Sequence, residues 1–211
     1  YNLHPLNYVS SNDSDFTETI GAKAAIVVDI NSKNVLYGKN INEKMYPAST
    51  TKILTAYIAL KYCTDLSQTV TISENAANQA SDSSVCGLHA GDVIRMDDLL
   101  YGMMLRSGND AAIAIAESIS GSVEEFAALM NKEAAALGAT QSHFVNPNGL
   151  PDENHYTSAL DLAKIMKAGL KNARFRKVIE SVGYTIPATN LSEARPMHTH
   201  MPLMAKESDL Y

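Results

Sequence analysis

The stretch PASTTKILTAY, Pro47–Tyr57, places Ser49 and Lys52 three residues apart in an almost wholly apolar run. On a helix, residues i and i+3 share a face about one turn apart, so the hydroxyl and the amine point into the same space. No acid lies close in sequence to hold an ammonium group there. An alkyl hydroxyl is a poor nucleophile unless a base stands beside it. Lysine can be that base only if it is neutral part of the time, and burial among Ile53, Leu54 and Tyr57 lowers its pKa by disfavouring the charged form. With Ser49 opening the helix, the first-turn N-H groups and the helix dipole also favour an oxyanion beside it. The plainer reading is a core helix whose lysine snorkels to water. Ser-x-x-Lys alone does not choose between them.

A second stretch, LRSGNDAAIAIAE, interrupts one apolar helix and starts another. Ser107 and Asn109 flank the glycine of that break, from which both could face one cleft. Ser107 could relay a proton towards Lys52, while the Asn109 amide offers a donor and an acceptor to a substrate amide. The competing reading is a helix corner with Asn109 as its cap. Ser-x-Asn also occurs at Ser10-Ser11-Asn12 and Ser32-Lys33-Asn34, where the chain reads as loop or turn.

Composition bounds the rest. The 211 residues, 45% apolar and 19% charged, suit a globular chain with a real core. A net charge of -6 without a Lys/Arg cluster argues against a nucleic-acid partner or an anionic membrane surface. The apolar runs are far shorter than the ~20 residues that span a bilayer. Cys63 and Cys86 allow one disulfide or two small buried hydrophobes, and burial habits favour the second. The six histidines, His4, His89, His143, His155, His198 and His200, lack ligand spacing, so no metal is expected.

Residues 1–20 are polar and without period, and read as a leader segment. Residues 21–211 read as one unit without repeat or linker. Expected strands are Ala24 to Ile30, Val35 to Gly38, Gln68 to Ser73 and Gly183 to Pro187. Expected helices run Ser49 to Tyr62, Asp92 to Leu105, from Asp110, from the Ser122 capping box to Leu137 with Gly138 beyond, and Ser158 to Lys171. The first of these is apolar on nearly every face, as a central helix must be. After Pro196 no pattern is readable.

Together these residues resemble the serine enzymes that react with penicillin, whose motifs are S-x-x-K, S-x-N and K-T-G. AAIVVDINSKNVLYGKNINEKMYPASTTKILTAYIAL, LLYGMMLRSGNDAAIAIAE and FVNPNGLPDENHYTSALDLAKI are similar to the D-alanyl-D-alanine carboxypeptidases, the low-molecular-mass penicillin-binding proteins. The resemblance runs from about Ala24 to Ile186. It implies an α/β (α+β) fold of the penicillin-binding protein and serine β-lactamase kind: an antiparallel sheet, a helical subdomain and a cleft between them. It further implies hydrolysis of the D-Ala-D-Ala end of peptidoglycan stem peptides, with β-lactams acylating the same serine. By position, Ser49 is the nucleophile, Lys52 its base, Ser107 a proton relay and Asn109 a substrate-amide contact. No cofactor is implied. Location would be the bacterial cell envelope, and membrane attachment would need a segment not present here.

One departure stands out. No Lys-Thr-Gly, nor a Ser or His variant, occurs in the chain, and His198-Thr199-His200 lacks the glycine that a close backbone approach needs. The chain is therefore expected to be the front part of the catalytic domain, with its C-terminal strands missing. A class A β-lactamase would share the first two motifs, but Glu153-Asn154 lacks the Glu-x-x-x-Asn spacing and Gly108 replaces the aspartate of Ser-Asp-Asn. The other rival is a truncated or degenerate relative that binds wall peptide without catalysis.

Overall fold

The computed structural model describes residues 20–199. The leader segment and the last residues after Thr199 lie outside that range. Strand β1, Ala25–Val28, pairs antiparallel with β2, Val35–Lys39, with a bulge at Val27/Val28. Asp29 closes their turn by accepting from Asn31 N-H and Ser32 Oγ. Next come a 3-10 turn, Ala48–Thr51, and helix α1, Lys52–Tyr62. Strand β3, Thr69–Thr71, the single turn α2, Glu74–Ala77, and strand β4, Val93–Arg95, follow, with β3 and β4 antiparallel. Then come α3, Met96–Leu105, α4, Asn109–Ser120, α5, Val123–Ala136, α6, Ala159–Gly169, and α7, Ala173–Ile179. Strands β5, Gly183–Ile186, and β6, Arg195–His198, form a last antiparallel pair. Among the described residues the strands thus make three separate two-stranded ribbons.

Helix α1 is central, as its apolar faces require. Leu54 and Ile58 enter a cluster with Phe126, Met130, Phe144 and Ile165. Ala56 and Ala59, on the other side, join Leu99, Leu100, Met103, Ile115 and Phe175. Leu54 and Ile58 are fully buried, and truncating such a side chain to alanine costs about 2–5 kcal/mol. Stability of the two clusters and placement of Lys52 are therefore the same property of one helix, and Ser49 is carried by the turn that leads into it. Both cysteines are buried and free. No helix among the described residues is long and apolar enough to cross a membrane.

Several boundaries differ from the sequence reading for local reasons. Residues 93–95 form a strand before α3, because Ile94 alone is buried between exposed Val93 and Arg95, the period-2 signature of a half-buried strand. Ser49 sits in the 3-10 turn and not in the α-helix. Helix α7 was hidden by its cations, yet it buries Phe175 and Val178 behind an Asn172 cap. Strand β6 was masked by Pro196, which pairs with Thr185 on a two-stranded ribbon, where a missing N-H is tolerated. The Ser122 cap on α5 is present, its Oγ accepting from Glu125 N-H.

Candidate active site

The site is built where the N-termini of α1 and α4 meet the loop between α5 and α6. The first wall is the turn Ala48–Thr51. Ala48 has φ +48 and leads into Ser49, which is exposed and open to a reactant. Thr50 Oγ1 donates to Pro47 O at 2.6 Å, closing the turn on itself. Lys52, the first residue of α1, is 2% exposed.

Its Nζ lies 3.2 Å from Ser49 Oγ, 2.8 Å from Asn109 Oδ1 and 2.8 Å from the Asn148 carbonyl oxygen. The last two are pure acceptors. A neutral amine has two N-H bonds and one lone pair. With both hydrogens given to Asn109 and Asn148, the lone pair is left facing Ser49 Oγ. The same three contacts hold an ammonium when the lysine takes a proton. Burial pushes the Lys52 pKa down to about 8, and Cys86 and Asp110 pull the other way. The Cys86 thiol is itself pushed well up, first by burial and then by Asp110. It is therefore uncharged at neutral pH, and Asp110 is the anion left to favour the ammonium.

The second wall is the α3–α4 corner. Ser107 Oγ donates to Ser49 Oγ at 2.8 Å from a backbone at φ +56, so a left-handed serine is held where a helix would otherwise run on. Gly108 has an ordinary φ of -60 and is required by space. A Cβ there would sit 2.3 Å from Cys86 Sγ and 2.9 Å from Asp110 Oδ1. An aspartate at this position, as in Ser-Asp-Asn, has no room. Asp110 fixes the corner: its carboxylate accepts from the N-H groups of Cys86 and Leu88, and Asn109 N-H donates to Ser84 O.

The third wall was not foreseen. Pro147-Asn148-Gly149 was readable only as a turn, but its backbone closes over α1. Thr55 Oγ1 donates to Pro147 O at 2.7 Å, one residue before the carbonyl that receives Lys52. Gly149, at φ +89, lies so close to Ala48 that a Cβ would fall 1.8 Å from Ala48 O. Asn146 Oδ1 accepts from Gly149 N-H and holds the turn's shape. Nothing in the sequence marks a main-chain carbonyl as a site group.

All four predicted residues, Ser49, Lys52, Ser107 and Asn109, thus converge, with Asn109 on the lysine. Glu153 is exposed and lines a separate shallow hollow with Lys44, Met45, Tyr46 and Tyr156.

A family model described as D-alanyl-D-alanine carboxypeptidase matches residues 9–206. The chain is 42% identical over 154 residues to the D-alanyl-D-alanine carboxypeptidase DacF of Bacillus subtilis, covering 71% of this chain and 39% of that protein. It is 40% identical over 158 residues to DacC of Escherichia coli, covering 71% and 40%. The chain therefore spans about two fifths of the length of these curated relatives. Among solved structures, the Streptomyces K15 DD-transpeptidase superposes with a TM-score of 0.84 at 30% identity, covering 90% of this chain and 78% of that one. The carboxypeptidase DacD of Francisella tularensis gives 0.76 at 35% identity, covering 80% and 41%.

Proposed function

The chain belongs to the D-alanyl-D-alanine carboxypeptidase family, and on that premise we propose that it carries the acylating machinery of a serine D-Ala-D-Ala carboxypeptidase. Ser49 Oγ attacks the carbonyl between the two D-alanines of a peptidoglycan stem peptide. Lys52 Nζ takes the Ser49 proton as the new C-O bond forms. Collapse of the tetrahedral intermediate breaks the C-N bond, and the departing D-alanine amine receives a proton through Ser107. Water then attacks the ester, returns the proton to the Lys52–Ser49 pair and frees the shortened peptide. Ser49 N-H is one oxyanion donor in this scheme, and Asn109 presents its side chain to the substrate amide. β-Lactams acylate Ser49 as substrate mimics. The substrate places this work in the bacterial cell envelope.

The observation that carries the reading is the environment of Lys52: buried, pushed down to about 8, and donating to two acceptors beside Ser49 Oγ. A lysine kept only for stability would gain from reaching water. Incubation with benzylpenicillin followed by intact-mass measurement tests the proposal. One penicilloyl adduct is expected on the parent and none on Ser49→Ala. Absence of an adduct both on the folded chain and on one extended to its relatives' length would overturn it.

A further inference from the structure

We propose that His155 is a positioning residue for the Ser49–Lys52 pair, fastening the Asn148 carbonyl over Lys52 by gripping Thr51 and Val145 at once. The inference rests on the reading of Ser49 and Lys52 as the reacting pair. His155 is 1% exposed, with the Phe144 ring edge-on at 5.5 Å. Val145 N-H donates to its Nδ1 at 3.1 Å, so Nδ1 carries no proton. The neutral ring then bears its hydrogen on Nε2, which donates to Thr51 Oγ1 at 2.8 Å.

Each partner adjoins the lysine. Thr51 immediately precedes Lys52 and is fully buried. Val145 begins the VNPNG segment whose Asn148 carbonyl accepts from Nζ. The imidazole therefore joins the same two pieces of chain that the Lys52–Asn148 bond joins, from outside the reacting atoms. Thr55 and Gly149 tie these pieces too, but they touch the turn through Pro147 O and Ala48. The His155 grip alone depends on a single tautomer. A protonated ring would turn an N-H towards the Val145 N-H and lose that bond. The charged or titratable groups around it are Asp152, whose carbonyl accepts from His155 N-H, His143 on the same loop, and Lys52 beyond Thr51.

If the grip loosens, water reaches Lys52 and its amine becomes easier to protonate, because desolvation is the leading cause of its depression. Side-chain NMR titration of the 13C-labelled lysines of the 211-residue chain reads this directly, together with penicilloylation rates. Thr51→Val keeps the shape and removes the acceptor. The Lys52 midpoint is expected to move upward by about one unit, with acylation at pH 7 falling about tenfold. His155→Gln should do the same where it folds, and Thr51→Ser, which keeps the hydroxyl, should restore the parent midpoint. The 15N shifts of the parent ring should show a bare Nδ1 and a protonated Nε2. A folded Thr51→Val with the parent midpoint would overturn the proposal. Should neither the parent nor the extended chain acylate, the functional reading falls, while the midpoint shift still decides the role of His155.

Discussion

Titration of Lys52 offers the sharpest test of the chemistry. An ordinary lysine titrates at 10.5, and burial brings Lys52 to about 8. At pH 7 the free amine then makes up about one tenth of the population, against about one in 3,000 for an unperturbed lysine. The gain of about 300-fold in usable base corresponds to about 3 kcal/mol of disfavoured ammonium. Acylation by benzylpenicillin, followed by quenching and intact-mass measurement between pH 5.5 and 9.5, should rise about tenfold per pH unit and level off near pH 8. The same shift has a thermodynamic sign. The unfolded chain holds the lysine proton more tightly, so this residue lowers stability fully below pH 8. The penalty then fades as pH rises towards 10.5. A flat rate across pH 6–9 would mean that Lys52 is not the base. A rise still unbroken at pH 9.5 would mean that it is not desolvated.

Two further expectations concern the scaffold. Gly108→Ala brings a methyl to 2.3 Å from Cys86 Sγ, so urea unfolding should show a loss of about 1–3 kcal/mol. Adding Cys86→Ala should recover part of it, and strict additivity of the two changes would contradict the packing argument. His155 is pushed down to about 4 by burial, from the ordinary histidine value of 6.5. Its contribution is therefore intact above pH 6.5 and is lost as pH falls towards 4, by about 3 kcal/mol in all. His155→Gln should flatten the stability profile over that window, and an unchanged slope in the folded variant would refute the assignment.

The four side chains that converge at the candidate site were legible in the sequence because each is marked by local spacing. Ser49 and Lys52 lie three apart, Ser107 and Asn109 flank a glycine between two apolar helices, and α1 is apolar on nearly every face. The cap at Ser122 followed the same local logic. Tertiary structure decided what those residues can do. The Lys52 contacts to Asn109 and Asn148 close over 57 and 96 residues, and Thr51 meets His155 across 104. One of these partners is a main-chain carbonyl, which every residue possesses and no pattern singles out. Another is a histidine whose tautomer is set by a backbone N-H. The depressed lysine pKa likewise belongs to no residue by itself: it is the work of removing water, which only the closed walls around α1 perform.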